Sequence, residues 1–378
     1  MYIEQIEITD YRVFKDTLIR FKGPKNNQNV INIIAGVNGS GKTTLLMAMY
    51  EYLILNQNHD SLIVRFSEIK NSFSRVSENR GAWTSAYTFL GNLETKNKDK
   101  VGPFEDPRLI FIPAQLSFDY RAISQLNIAY SRAIKIDKEV LGKAEFYIKE
   151  FILSKERQSS IADPVQRTRA AVDAFNRHFA ETSLLTRLHD LDAKRYNRPV
   201  FKNVKGDLVT IDQLSDGEKQ LYGRVVALMM LEPRNSMILI DEPEISLHPA
   251  WQQEIMKIYA GIGVNNQFII ATHSPQIIGN TPHENLIVLV REEGRIVPMD
   301  QEHPPAGIDV NSILTEIMGA PVRPREVEDL YRRYRELVEQ GREESEEGKN
   351  IRKRITAREG ASEFIQEMDF TVQLRDVS

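Results

Sequence analysis

A glycine-rich loop that ends in lysine and threonine is the part of the sequence best suited to chemistry. The stretch GVNGSGKT, residues 36–43, fits the spacing G-x-x-x-x-G-K-[ST]. In this pattern the glycines let backbone N–H groups turn inward on phosphates. Lys42 would reach the β- and γ-phosphates, and Thr43 would offer its hydroxyl to Mg²⁺. The loop therefore predicts a site for ATP and magnesium.

Two elements must hold this loop in place. The apolar run at residues 30–35 predicts a buried strand, and residues 45–53 continue after the loop with helical spacing. Strand, glycine loop and helix in this order are the context that the motif requires, and the helix N-terminus adds its positive dipole end.

Two carboxylates follow a second apolar run. Residues 237–240 predict a strand, and Asp241 and Glu242 stand at its end. There Asp241 can hold the magnesium shell while Glu242 orients and deprotonates the attacking water. An ordinary acidic turn after a strand is the alternative, which the neighbouring phosphate loop makes less favourable.

Two further polar residues follow predicted strands. His273 comes after the run at 268–271, where a neutral imidazole can sense a γ-phosphate, and Gln115 follows the run at 109–112, where it could reach Mg²⁺ or the water. Each alone is typical of a structural residue. Their order along the chain with the other motifs is what supports a catalytic role.

The stretch LSDGEKQ, residues 214–220, predicts a second anion site. Ser215 is a good N-cap and Gly217 lies at the expected helix start, where N–H groups point outward. The phosphate loop already supplies one anion site, so this second site raises the question of which molecule holds its anion.

Together these motifs resemble the ATPase heads of the ABC type, in the branch that contains SMC, RecF and OLD proteins, over about residues 1–297. The resemblance implies an α/β P-loop fold with a mixed sheet, a helical insert and a C-terminal helical segment. It also implies a homodimer or higher even oligomer, in which the signature Ser215 and Gly217 of one chain bind the γ-phosphate held by the other. The nucleotide-binding residues implied by it are Gly36, Asn38, Gly39, Ser40, Gly41, Lys42, Thr43, Thr44 and Arg12.

The sequence departs from the common family pattern at two positions. Asp216 replaces a glycine of the signature, so its carboxylate must point away from the anion. His248 stands where transporter ATPases usually have Asp, and the Leu-His-Pro form resembles the RecF and OLD branch. Near the N-terminus, Tyr11 and Arg12 are candidates for contact with the base or phosphates; packing at a strand end is the alternative for Tyr11.

The motifs divide the chain into four parts. Residues 1–118 form a first ATPase lobe, 119–205 a helical insert, 206–300 a second lobe and 301–378 a helical interaction segment. A polar stretch at 70–107 predicts a surface hairpin or loop. The insert carries 17 Lys and Arg against 11 Asp and Glu, which could be a DNA-facing surface or solvated helix faces.

Composition narrows the class of protein. The chain has 378 residues, a net charge of −4 and no cysteine, so disulfides, thiolate metal sites and a global basic field are excluded. We find no signal peptide and no apolar run of about 18 residues. A cytoplasmic protein with no membrane contact is expected.

Three classes of function fit. The first is an ATP-gated regulator of a separate effector, such as a nuclease, in antiviral defence. The ATPase subunits of Septu-type and retron-associated systems look similar in size and around GAPVRPREVEDLY, residues 319–331. The last 80 residues lack the carboxylate cluster of an OLD-type nuclease, so an effector would come from another chain. A RecF-like DNA clamp and a transporter ATPase are the alternatives.

Overall fold

The computed structural model describes residues 2–55, 62–66, 108–114, 133–136, 142–180, 182, 186–299, 312–319, 324–360 and 362–377. It divides into two compact units, Met1–Ile313 and Leu314–Ser378. The expected surface hairpin at 70–107 and the candidate Gln115 lie outside the described residues.

The first unit is an α/β structure. Its strands are β1 (Ile3–Tyr11), β2 (Phe14–Arg20), β3 (Val30–Gly36), β4 (Leu62–Phe66), β5 (Leu109–Ile112), β6 (Ala133–Lys135), β7 (Arg187–Asp192), β8 (Arg198–Lys202), β9 (Leu208–Val209), β10 (Met237–Asp241), β11 (Gln267–Ala271), β12 (Leu286–Glu292) and β13 (Arg295–Pro298). Its helices are α1 (Lys42–Leu55), α2 (Ala144–Gln158), α3 (Pro164–Arg177), α4 (Asp216–Leu231), α5 (Pro249–Ala260) and α6 (Pro275–Gly279).

Ten of these strands form one mixed sheet in the order β4-β1-β2-β13-β12-β3-β11-β10-β5-β6. Strands β3, β11, β10 and β5 are neighbours and parallel, so their carboxyl ends meet at one edge. They are apolar along their length because both faces of the sheet are covered, as parallel strands require. The four strands expected from the sequence are therefore present, and together they place the motifs side by side.

The N-terminal strands form the antiparallel half of the sheet. β1 pairs with β2 and with β4, and β12 pairs with β13. The alternation of the first residues correctly predicted β1, whose inward side chains Ile3, Ile6 and Ile8 are buried in the core. Leu45, Leu46 and Met49 of helix α1 join the same core.

The described part of the insert contains both helices and strands. Helices α2 and α3 are present, and residues 133–135 form strand β6, which pairs with β5. A separate antiparallel sheet, in the order β7-β8-β9, completes this part. Its short strands carry few apolar residues, so their period-2 pattern is weak in the sequence.

The described residues of the second unit contain three α-helices, α7 (Arg325–Glu339), α8 (Glu346–Glu359) and α9 (Glu363–Val377). In the sequence, the helical spacing of Val327, Leu330, Tyr331, Tyr334 and Val338 predicts an apolar face for α7, and all of these but Tyr331 are buried. The sequence also makes Tyr331 and Tyr334 candidate anchors for a partner, but Tyr334 lies in the unit's own core.

The stretch MDFTVQLRDVS, residues 368–378, resembles a strand-like tail in the sequence, but residues 368–377 belong to helix α9. Phe364, Ile365 and Met368 of this helix place an apolar stripe of helical period in the core of the unit. None of the helices in the described part of the chain is both long and apolar enough to cross a membrane.

Candidate active site

The phosphate-binding loop follows β3 and leads into α1, as the sequence predicted. Lys42 is the first residue of the helix and only 4% exposed. Its ammonium donates to the carbonyl oxygens of Gly36 at 2.9 Å and Val37 at 3.1 Å, and to Ser40 Oγ at 3.4 Å. The charge is thus held over the loop, where it can neutralise a polyphosphate.

Two glycines of the loop adopt left-handed backbone conformations. Gly39 has φ +78° and is exposed, and Gly41 has φ +82°. A Cβ on Gly41 would come within 2.7 Å of Val13 and 2.8 Å of the Phe14 ring, so a side chain there would displace the β1–β2 turn. The loop therefore depends on glycine for both its conformation and its packing.

The β1–β2 turn brings the N-terminal candidates close to this loop. Arg12 is exposed, has φ 55°, and its guanidinium lies 5.4 Å from the centroid of the Tyr11 ring. Tyr11 is half-buried and packs against the main core. Arg12 stays a predicted ligand contact, and the packing of Tyr11 agrees with the alternative of a strand-end aromatic.

Thr43 and Asp241 come together from distant parts of the sequence. The Thr43 hydroxyl donates to Asp241 Oδ1 at 3.0 Å, across the gap between α1 and the end of β10. Hydroxyl and carboxylate oxygens are the ligand types that Mg²⁺ prefers, so this pair fits a magnesium ion bound together with phosphates. Thr44, the next residue, is half-buried in the helix.

Glu242 occupies a strained backbone position. Its φ is 44°, in the left-handed region that a glutamate seldom adopts, and its N–H donates to Ala271 O at 2.8 Å. This turn directs its carboxylate toward His273, whose Nε2 lies 3.5 Å from Glu242 Oε1. The predicted base and the predicted phosphate sensor are therefore neighbours.

A third carboxylate, which the sequence analysis did not single out, fixes the histidine. Glu244 Oε1 accepts a hydrogen bond from the backbone N–H of His273 at 2.6 Å. This hydrogen bond connects the loop after β10 to the loop after β11. In the sequence, the only signal for Glu244 is its position two residues after Glu242. No local pattern indicates its partner His273, which lies 29 positions further along the chain.

Burial shifts the protonation equilibria of these groups. It lowers the pKa of Lys42 to about 8, against the opposing charges of Glu242, Asp241 and Glu244. It raises the pKa of Asp241 to about 6, with the Thr43 hydrogen bond opposing the shift. It also lowers the pKa of His273, helped by the positive charge of Lys42, so the imidazole is neutral near pH 7 and can donate or accept.

The signature stretch begins helix α4, also as predicted. Ser215 is the N-cap, and its Oγ accepts from Glu218 N at 3.3 Å. In turn, the Ser215 hydroxyl and backbone N–H donate to Glu218 Oε2 at 2.7 and 3.0 Å. This capping box fixes the helix start, and the hydroxyl must exchange partners to contact a phosphate.

The neighbouring residues leave the front of this helix open. The side chain of Asp216 is 92% exposed and lies 3.5 Å from Lys219, so its carboxylate points outward as expected. A Cβ on Gly217 would come within 2.8 Å of Ser246 O and 3.0 Å of the Trp251 ring. The glycine therefore lets α4 approach the loop that follows Glu242.

His248, which stands where transporter ATPases usually have Asp, caps helix α5. Its Nδ1 accepts a hydrogen bond from Ala250 N at 3.3 Å.

Arg224, also missed from the sequence, connects α4 to the catalytic edge. Its side chain is fully buried, and Nη2 donates to Ala114 O at 2.7 Å, beside the position of Gln115. Nη1 is buried and has no hydrogen-bond partner among the described residues. Burial lowers the pKa of Arg224, and the negative charges of Glu244 and Asp241 oppose the shift. A buried arginine in a helix of ordinary polarity leaves no pattern in a single sequence.

Comparison with known families gives two adjoining matches. Residues 1–101 match the family described as "AAA ATPase domain". Residues 94–279 match the family described as "AAA domain, putative AbiEii toxin, Type IV TA system". The two matched ranges contain every motif residue named above.

Several curated proteins are similar to the chain. "Retron Vc95 probable ATPase" of Vibrio cholerae serotype O1 biovar El Tor is 30% identical over 193 residues, covering 46% of this chain and 37% of that protein. "Septu protein PtuA" of Bacillus mycoides (strain KBAB4) is 22% identical over 394 residues, covering 98% and 52%. The chain thus spans about half the length, or less, of these two relatives.

Among solved structures, an SMC head bound to the C-winged helix domain of ScpA is 16% identical. The alignment has a TM-score of 0.45 and covers 79% of this chain and 98% of that one.

Proposed function

We propose that this chain, an ATPase of the SMC- and OLD-like branch, is a slow, ATP-gated regulator of a separate effector in antiviral defence. Two copies close head to tail around ATP and Mg²⁺, and hydrolysis separates them. The effector, for which a nuclease is our candidate, is controlled by the lifetime of the closed state.

The observation that carries the proposal is the convergence of five side chains at one sheet edge: Lys42, Thr43, Asp241, Glu242 and His273. Lys42 is held over the loop, and the Thr43–Asp241 pair at 3.0 Å fits magnesium. When bound, the metal neutralises phosphate charge. Glu242 is the base that takes a proton from water. His273, whose Nε2 lies 3.5 Å from Glu242 Oε1, positions the Glu242 carboxylate.

Closure between two copies is supported by the state of the signature. Ser215 and Gly217 make no hydrogen bond to the phosphate loop among the described residues, yet the helix start is fixed by the capping box with Glu218. The N-terminus of helix α4 is thus fixed in conformation without contacting the phosphate loop of its own chain. This arrangement suits the binding of an anion that is held by another molecule. A slow rate follows because each turnover requires the two heads to meet and part.

The assignment to defence is supported by two of the similar proteins, a retron probable ATPase and a Septu protein. The nuclease effector is the finer part of the proposal. It depends on the likeness to systems in which the ATPase and the effector are separate chains.

Substituting Glu242 by Gln tests the proposal directly. Glu242→Gln keeps the shape but removes the base, so ATP should bind while phosphate release falls by about 100-fold or more. Dimers should then accumulate with ATP and Mg²⁺, as measured by light scattering after size-exclusion chromatography. Glu284→Gln is the matched control, because Glu284 is exposed and pairs only weakly with Lys22, at 3.9 Å.

Wild-type turnover by Glu242→Gln would show that another group is the base. Absence of ATP-dependent dimers in this variant would contradict head-to-tail closure. Dimers that form only when DNA is added, and that capture no protein encoded next to this chain in its genome, would favour the RecF-like clamp.

A further inference from the structure

The hairpin formed by β7 and β8 ends in an unusual turn at residues 193–197, the hairpin tip. Tyr196 has φ 57° and ψ 36°, and Asn197 also has φ 57°. Asparagine tolerates this left-handed conformation well, whereas a bulky tyrosine is strained in it. Tyr196 is also 93% exposed, the highest value among the exposed large hydrophobic side chains of the described residues. The chain gains no packing from a ring held at a conformational cost.

Two basic residues stand next to Tyr196 in the sequence. Lys194 and Arg195 precede it and are exposed, and Arg195 has only a distant contact with Asp192, at 3.7 Å. Residues 186–209 contain six Lys and Arg against three Asp, whereas the whole chain has a net charge of −4. The hairpin is therefore a basic region on an otherwise acidic protein.

An exposed aromatic ring beside two cations suits a particular partner. The ring can stack on an unpaired base while Lys194 and Arg195 contact the phosphates on either side. A duplex offers its bases no open face for such stacking. The chemistry thus favours single-stranded nucleic acid over a duplex, and the positive charge favours it over an apolar protein surface.

The second strand of the hairpin is joined to the signature. Arg198, the first residue of β8, donates to Asp212 Oδ1 at 2.6 Å and pairs with Glu145 at 3.0 Å. Asp212 lies in the 3₁₀ turn Ile211–Gln213, which runs directly into Leu214 and the N-cap Ser215. A displacement at the hairpin tip would be passed along this ion pair to the start of helix α4.

The first strand has its own link to the same helix. Thr186, immediately before β7, donates its hydroxyl to Glu218, the carboxylate of the signature capping box. The Tyr222 hydroxyl donates to Thr186 O at 2.9 Å. The residue that precedes β7 and the first residue of β8 are therefore both hydrogen-bonded to the segment around Ser215.

We propose that the hairpin tip binds single-stranded nucleic acid, and that the Arg198–Asp212 and Thr186–Glu218 links pass this binding to the signature. The nucleic acid would then change the rate of ATP turnover and so act as the trigger. The trigger role rests on the proposed function, whereas binding itself does not.

Binding is tested with fluorescein-labelled oligo(dT) and oligo(U) of about 15 nucleotides, by anisotropy without ATP. The test variant is Tyr196→Asn with Lys194→Gln, which removes the ring and one charge while favouring the left-handed turn. The control is Val204→Asn with Lys205→Gln, the same kinds of change in the β8–β9 turn, where Val204 is 71% exposed. We expect affinity to fall about 10- to 100-fold in the test variant only.

Equal affinity of both variants would overturn the proposal, as would a wild-type chain that binds neither oligonucleotide. The two probes distinguish DNA from RNA as the source of the strand. ATP-dependent dimers of Glu242→Gln are measured without oligonucleotide. A wild-type chain that binds no oligonucleotide, with dimers of Glu242→Gln intact, therefore overturns this inference alone. Missing dimers overturn the proposed function, and the trigger role with it, but leave the binding of the oligonucleotide standing.

Transmission is tested with two partners of Arg198. Asp212→Asn removes the link that adjoins the signature, whereas Glu145→Gln removes the other ion pair. Both variants should bind the oligonucleotide like wild type, but only Asp212→Asn should lose its effect on ATP turnover. An equal response of the two variants would contradict the assigned route.

Discussion

The phosphate-binding loop and the signature region both lie at helix starts, but the side chains at the two starts make different contacts. Lys42 is 4% exposed, contacts three oxygens of its loop and faces acidic side chains from elsewhere in the fold. At the signature, the Ser215 hydroxyl and Glu218 satisfy each other, and Asp216 points to solvent. These contacts suit the first region to hold a ligand by itself, and under the proposed head-to-tail closure the second would contact a ligand held by another copy of the chain.

Removing the lysine should have the largest effect. Lys42→Ala deletes the buried cation over the loop, a loss of about 3 kcal/mol or roughly 100-fold in ATP affinity. Binding of a fluorescent ATP analogue measures this loss. Lys22→Ala, at an exposed lysine, is the control and should bind normally. Tight binding by Lys42→Ala would place the phosphates outside this loop.

A substitution in the signature should affect hydrolysis rather than ATP binding. Ser215→Arg should leave ATP binding intact and abolish hydrolysis, because an arginine blocks the facing surface. Mixed with an equal amount of Lys42→Ala, it should recover roughly a quarter of the wild-type rate, since each mixed dimer keeps one complete site. No recovery, with mixed dimers shown by mass spectrometry, would mean that Ser215 acts on its own chain or that both sites must fire together.

Arg224 connects helix α4 to the segment after β5, so its loss should have a moderate effect on stability and turnover. Arg224→Met keeps an unbranched, largely apolar stem but removes the guanidinium and its hydrogen bond to Ala114. We expect the free energy of unfolding to fall by about 1–3 kcal/mol and turnover to fall about tenfold, with ATP affinity preserved. Thermal unfolding and steady-state kinetics measure the two effects. Full activity with lowered stability would reduce Arg224 to a core residue.

Gly217→Ala should have the smallest effect. The added methyl group meets Ser246 O at 2.8 Å and the Trp251 ring at 3.0 Å, so α4 must shift by a few tenths of an ångström. We expect kcat to fall a few-fold with KM unchanged. Gly261→Ala is the control, because its new methyl lies 3.4 Å from the nearest atom. Equal rates for the two variants would show that the position of α4 tolerates such shifts.

The sequence predicts those parts of the site that are local. The strand, loop and helix around Lys42 and the strand before Asp241 and Glu242 follow from apolar runs, glycines and charges within about 20 residues of each other. The Glu244–His273 bond and the burial of Arg224 depend on contacts between distant segments, so no local pattern reveals them. The small sheet β7-β8-β9 was missed because its strands are short and mostly polar.

The placement of β3 within the sheet also determines when the site can form during synthesis. β3 lies between β11 and β12, so the strand that holds the phosphate loop pairs with residues made much later. Val30 pairs with Gln267, and at a translation rate of roughly 5–20 residues per second the partner follows after roughly 10–50 s. During that interval the loop has no completed sheet beneath it. A nascent chain therefore gains its ATP site only after the carboxylates and the histidine that act there have emerged from the ribosome.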